Sequence, residues 1–253
     1  MSEALLAGRT AVVTGGANGI GAAIVRVLAD AGVARGAVLD LRSTLGDAEL
    51  PGGWIAVDVD VRDAGHTAAA FAAVRDALGT IDVLVAAAGV VPLWTGVESM
   101  ELSEWDDVVD VNARGVLCSM RESLPAMPED GAIVVIASQN AWRGSAVLPS
   151  YAASKHAVLG LVRSAALELG PRGIRVNAVG PGSVATDAYR SRLARREHEG
   201  GPPVADALAR DAGFTALKRL VTAEEVANGV LFLASPLASG VTGHILPVGA
   251  WVT

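Results

Sequence analysis

Thr10-Ala11-Val12-Val13-Thr14-Gly15-Gly16-Ala17-Asn18-Gly19-Ile20-Gly21 passes from a short apolar run through a glycine-rich turn into helical spacing. Residues 10–13 have the β-branched character of a buried strand. Beyond the turn, Ile20, Ile24, Val27 and Leu28 recur at the period of a helix face. Glycines at such a junction permit a tight turn and let backbone N–H groups approach an anion. The helix that begins there adds unpaired N–H groups and the positive end of its dipole. A glycine-rich turn alone is weak evidence, but a turn between a strand and a helix is the context a dinucleotide-binding loop requires. Gly15, Asn18, Gly19, Ile20 and Gly21 are therefore the candidate pyrophosphate cradle.

Downstream, Asp40 closes a second apolar run at 37–40, 19 positions after Gly21. A carboxylate at that place accepts hydrogen bonds from both adenosine ribose hydroxyls and repels a 2′-phosphate, so NAD is the expected cofactor. No Lys or Arg lies in 15–18. Arg42 is the one nearby cation and keeps an NADPH-dependent ketoreductase open as the alternative. The plain structural reading of Asp40 is a strand-end cap.

The alternation continues to the end of the chain. Strands are expected at 10–13, 37–40, 54–57, 81–86, 133–137, 175–179 and 244–248. Helices are expected at 63–78, 103–123, 151–169 and 222–234, the last opened by a Thr222/Glu225 capping box. Residues 41–53, broken by Pro51 and two glycines, leave room for a small helix or none. Seven strands alternating with helices imply an α/β, Rossmann-type, doubly wound seven-stranded parallel sheet with helices on both faces. No linker or repeat divides the chain, so residues 1–253 are read as one domain. Residues 186–219 break the rhythm with Gly200, Gly201, Pro202, Pro203 and Gly213 among charged pieces, and are expected to form a substrate lid.

Bulk properties exclude other classes. The chain has 253 residues, 51% of them hydrophobic, and a net charge of -7. An acidic chain lacks the basic face that nucleic acid requires. The single cysteine, Cys118, forms no intrachain disulfide and reads as a buried inert thiol. The four histidines are scattered, so no metal site is expected. No apolar run is long enough for a membrane span, and residues 1–8 show no signal sequence. A cytoplasmic location is expected.

Tyr151 and Lys155 are four residues apart at the start of a helix and share a face. Tyrosine is a poor base at its usual pKa near 10. A neighbouring ammonium and a cationic nicotinamide both stabilise the phenolate, which makes Tyr-x-x-x-Lys a device for general base catalysis at mildly alkaline pH. Ser138, just past the strand at 133–137, is placed to hold the substrate oxygen.

These motifs, with Asp60-Val61, Ala88-Gly89, Asn112, Asn177, Pro181-Gly182 and Thr186, resemble the classical short-chain dehydrogenase/reductase family over nearly the whole chain. The resemblance implies a catalytic set of Asn112, Ser138, Tyr151 and Lys155. Asn112 kinks its helix and holds a water in a proton relay to Lys155, which also binds the nicotinamide ribose. Asp60 and Val61 contact the adenine, and Ala87, Ala88 and Gly89 belong to the cofactor wall. Pro181, Gly182, Val184 and Thr186 line the carboxamide side. The family also implies a homotetramer. Two departures stand out. Ala86-Ala87-Ala88-Gly89 replaces the family's usual Asn-Asn-Ala-Gly, so bracing there must come from elsewhere. Gly249-Ala250-Trp251 replaces Asp-Gly-Gly near subunit contacts and leaves a dimer as fallback.

The substrate is less legible. A looser likeness to 2,3-dihydro-2,3-dihydroxybenzoate dehydrogenases implies a ring alcohol. Gln139, Asn140, Trp142, Arg143, Val147, Leu148 and Trp94 are candidate pocket residues; for the tryptophans an apolar-core role weighs equally. Arg143 or the lid arginines Arg190, Arg192, Arg195 and Arg196 suit a carboxylate, against a solvated-surface reading for the charge run. A non-catalytic NAD-binding regulator and an epimerase retaining NAD are the rival classes. The intact Ser-Tyr-Lys-Asn set argues against the regulator. The lack of an extra substrate domain argues against the epimerase.

Overall fold

The computed structural model describes residues 5–46 and 48–250. Seven strands form one sheet: β1 (Thr10–Thr14), β2 (Arg35–Asp40), β3 (Trp54–Asp58), β4 (Val83–Ala86), β5 (Ala132–Ile136), β6 (Arg175–Pro181) and β7 (Ile245–Val248). Their order is β3-β2-β1-β4-β5-β6-β7, and every pairing is parallel. The direction of winding reverses between β1 and β4. In such sheets ligands settle in the crevice beyond the carboxyl ends of the strands at that point.

The sheet is buried on both faces, which is why its strands read as unbroken apolar runs. Side chains alternate between faces. Val12, Leu39, Leu84, Ile133 and Val176 join one core with α3 (Ala64–Leu78), α5 (Gly115–Ser123) and α6 (Pro149–Leu169). Val13, Val38, Val85, Val134 and Val179 join the other with α1 (Gly19–Asp30) and α9 (Ala223–Ala234). Among the described residues between β2 and β3 there is only the one-turn helix α2 (Arg42–Leu45), as the broken composition implied.

The periodicity of 103–123 predicts one continuous helix. The structure instead has α4 (Leu102–Val109), a wide π turn at Asp110–Arg114, and then α5. The cause is Asn112, fully buried in the wide turn. Its Oδ1 accepts from the Val90 N–H at 2.8 Å, while its amide donates to the Val90 carbonyl at 2.9 Å and to Ser154 Oγ at 3.2 Å. Holding a loop this way requires the side chain to turn inward, and the widened turn provides that.

Residues 186–219 form two helices, α7 (Asp187–His198) and α8 (Val204–Gly213). The ends of the excursion are pinned together by a parallel bridge between Val184 and Val221. The Tyr189 hydroxyl donates to Asp211 Oδ2, fastening α7 to α8. The Leu217 N–H donates to the Ala250 carbonyl, tying the exit of the excursion to the C-terminal tail. Trp251, part of the atypical tail motif, lies outside the described residues. Among the described residues, no helix is long and apolar enough to cross a membrane.

Candidate active site

The turn after β1 is built as an anion cradle. Gly15 and Gly19 have φ of 67° and 52°, a region that favours glycine. A Cβ on Gly21 would collide with the Gly15 carbonyl, and one on Gly15 would come within 2.6 Å of Ala88 Cα. Asn18 occupies the N-cap position of α1 without a side-chain capping bond. The first N–H groups of α1 therefore remain available at the carboxyl edge. Thr186 lies beside the same turn, its Cγ2 3.6 Å from where a Cβ on Gly19 would stand.

After β4, where the asparagines are missing, Thr14 braces the backbone. Its Oγ1 accepts from the Ala87 and Ala88 N–H groups at 3.2 and 3.3 Å. Asp40 at the end of β2 accepts from the Ala17 N–H at 3.0 Å. It also accepts from the Leu41 N–H and the Thr44 hydroxyl, both at 2.8 Å. The carboxylate is thus fixed between the glycine turn and α2; Oδ1 already accepts two donors, and Oδ2, with one, has capacity for a further donor. Arg42 points elsewhere, to Asp58 at 3.0 Å. Asp60 is held by Arg62 at 2.7 Å, which keeps its carboxyl below the usual carboxylate range. Val61 is buried against Gly115, so its side chain is committed to packing.

At the ends of β5 and α6 three polar groups meet. Ser138, buried, accepts from the Asn140 N–H at 3.1 Å and hydrogen-bonds the Tyr151 phenol. Lys155 is buried and donates to the Ile136 carbonyl at 2.9 Å, with its Nζ 5.6 Å from the centre of the Tyr151 ring. A Cβ on Gly89 would stand 3.6 Å from that Nζ, so the space above the lysine is kept clear. Ser154 lies between these residues in sequence. It bonds the Tyr151 carbonyl and receives the Asn112 amide, joining the helix bearing the tyrosine to the wide turn. Sequence reasoning passed over Ser154, although its place inside Tyr-x-x-x-Lys marks it.

Burial dominates the electrostatics of the pair. Burial pushes the Tyr151 phenol upward; the bond from Ser138 and the charge of Arg192 oppose that shift. Lys155 is not among the opposing groups. Its own burial pulls it down to about 8, because a desolvated ammonium is costly. The protein's side chains by themselves leave the phenol above its ordinary value.

Other predicted pocket residues separate. Gln139 and Asn140 form the turn after β5 and are half-buried at the site. Leu148 is half-buried ahead of α6, Val147 is exposed, and Arg143 is exposed. Trp142 packs against the core. A Cβ on Gly180 would come within 2.7 Å of its ring, so it fills the space that Gly180 leaves. Trp94 lies against α7, with the guanidinium groups of Arg192 and Arg196 at 4.3 and 4.9 Å from its ring centre. Among the described residues no group of three or more His, Cys, Asp or Glu is placed to hold a metal ion.

A family model described as enoyl-(acyl carrier protein) reductase matches residues 15–250. The (+)-cis,trans-nepetalactol synthase of Nepeta racemosa is 38% identical over 256 residues, spanning 96% of this chain and 92% of that protein. The 3-alpha-(or 20-beta)-hydroxysteroid dehydrogenase of Mycobacterium tuberculosis is 37% identical over 242 residues, spanning 94% and 86%. The solved aldohexose dehydrogenase of Thermoplasma acidophilum has a TM-score of 0.85 at 32% identity, covering 97% of this chain and 94% of that one.

Proposed function

This chain belongs to the short-chain dehydrogenase/reductase family, and from that premise we propose that it is an NAD-dependent dehydrogenase of ring-borne secondary alcohols, working also in reverse on the ketones. One observation carries the reading: Ser138, Tyr151 and Lys155 meet at the carboxyl edge of the sheet, near a glycine turn in which a Cβ on Gly15 or Gly21 would collide with backbone.

The nicotinamide, when bound, supplies the hydride acceptor at its C4. The chain's own residues do the rest. Tyr151 as phenolate removes the hydroxyl proton of the alcohol, and Ser138 holds the same oxygen. Lys155, fixed by its bond to the Ile136 carbonyl, would hold the nicotinamide ribose through its ammonium. Asn112 acts through position, holding Val90 and Ser154 so that the floor of the site and the start of α6 keep their spacing. Gly15, Gly19, Ile20 and Gly21 would hold the pyrophosphate, and Pro181, Gly182, Val184 and Thr186 would line the carboxamide side.

Preference for NAD rests on Asp40, which lies where a 2′-phosphate would be repelled, and on Arg42, which is spent on Asp58. A ring alcohol is supported by the hydroxysteroid dehydrogenase among the relatives. The test is a screen of cyclic alcohols, dihydrodiols, hydroxy acids and sugars, read as reduction of NAD and of NADP. The expected result is oxidation of at least one cyclic alcohol with a higher kcat/KM for NAD, and an Asp40→Ala variant that narrows the gap. Equal or better use of NADP by the parent contradicts the cofactor assignment. Turnover confined to acyclic substrates contradicts the substrate class.

A further inference from the structure

Among the described residues, four buried side-chain polar atoms lack a hydrogen-bond partner, and two of them belong to one guanidinium: Nε and Nη2 of Arg192. These atoms carry the parallel N–H groups of the side-on edge of arginine, the fork that matches the two oxygens of a carboxylate. A half-buried guanidinium with that edge unpaired is expensive to maintain, so the arrangement calls for a partner.

The surroundings say where the fork points. Arg192 lies in α7, stacked on Trp94, which fixes the plane of the group and limits its rotamers. Its charge is felt at the Tyr151 phenol, which places it on the reacting side of the lid. Arg196 stacks on the same indole and adds a second positive charge. Among the described residues, no ion pair involves either arginine. The neighbouring lid arginine Arg195 is different: it is exposed and paired with Glu199 at 3.1 Å. The nearby Asp211 is already engaged by Tyr189 and Arg210. The site therefore holds positive charge and lacks an anion.

We propose that Arg192 is a specificity-determining residue that seats a carboxylate carried by the substrate, with Trp94 as its stacking platform and Arg196 as a supporting charge. The inference rests on the dehydrogenase reading and narrows it: the ring alcohol bears an acid group, and α7 closes on that group.

The test is calorimetric titration of the NAD-loaded protein with benzoate, methyl benzoate and inorganic phosphate, in the parent, Arg192→Leu and Arg192→Lys. Benzoate is expected to bind about tenfold or more tighter than its ester, the scale of one charge-assisted contact. Arg192→Leu is expected to abolish that preference, and Arg192→Lys to keep part of it. Equal binding of acid and ester by the parent overturns the proposal, as does absence of benzoate binding, tighter binding of phosphate, or an Arg192→Leu variant that still prefers benzoate. Should Arg192→Leu misfold, the parent and Arg192→Lys still decide. NADH binding to the variants, followed by fluorescence, separates the two sources of anion. A tenfold loss there assigns Arg192 to the dinucleotide phosphates and overturns the substrate role. Because binding is read without turnover, failure here leaves the alcohol screen standing, and failure of the screen leaves this result intact.

Discussion

Lys155 shows how much of the site's chemistry is a matter of burial. The sequence places it one turn from Tyr151 and so predicts an ammonium that acidifies the phenol. The structure buries it against the Ile136 carbonyl and draws its pKa down to about 8. The sign of the stability effect follows. Below about pH 8 native and unfolded chains both hold the proton, and the full cost of burying the charge is present. From there up to the ordinary value of 10.5 the unfolded chain keeps a proton the native chain has released, so this group makes stability rise with pH. Lys155→Met without cofactor should therefore be more stable than the parent at pH 7, and the difference should shrink through pH 8 to 10. Urea unfolding across that range checks it; a difference independent of pH contradicts the buried ammonium. Arg192 is the opposite case for legibility. In sequence it is one member of a charge run that reads as solvated. Only the fold brings it onto Trp94, nearly a hundred positions earlier, and no spacing rule reaches that far.

Among elements, the strands were the most legible, because a sheet buried on both faces writes itself as short apolar runs. Their ends moved by at most two residues: β2 begins at Arg35, and β6 runs to Pro181. The wide turn at Asp110–Arg114 was invisible to periodicity, since nothing in Asp-Val-Asn-Ala-Arg breaks a helix; only the family resemblance pointed to a kink. The sequence shows α7 and α8 only as charged helical pieces without bounds, because glycines and prolines at 200–203 interrupt the spacing between them. The capping box was read directly. Thr222 Oγ1 accepts from the Glu225 N–H at 3.1 Å, and Glu225 accepts from the Thr222 N–H at 2.8 Å. Arg219 also pairs with Glu225, whose carboxyl is held at about 2. Thr222→Ala should cost about 1 kcal/mol of stability, the usual loss of an N-cap. Denaturant unfolding measures it, and a loss under a few tenths contradicts the cap's role.

For the whole molecule, the outward faces of α5 and α6 retain apolar side chains: Leu117 is 48% exposed and Leu167 83% exposed. Isolated exposed leucines are ordinary, but these lie on the helices that the family pairs across subunits. We expect a homotetramer by light scattering at micromolar concentration; a monomer contradicts that assignment. The helix α6 carries both the exposed Leu167 and the Tyr151–Lys155 pair.

The central claim is that Tyr151 is the proton acceptor of an alcohol dehydrogenase. The most direct measurement is the turnover of Tyr151→Phe on whichever alcohol the parent oxidises, with NAD binding followed separately by fluorescence. The substitution keeps the ring and its packing, so folding and NAD binding should match the parent. Turnover should fall by about 10²–10⁴, the scale of positioned acid–base catalysis. A variant that binds NAD normally and retains near-parental turnover would show that Tyr151 is not the base.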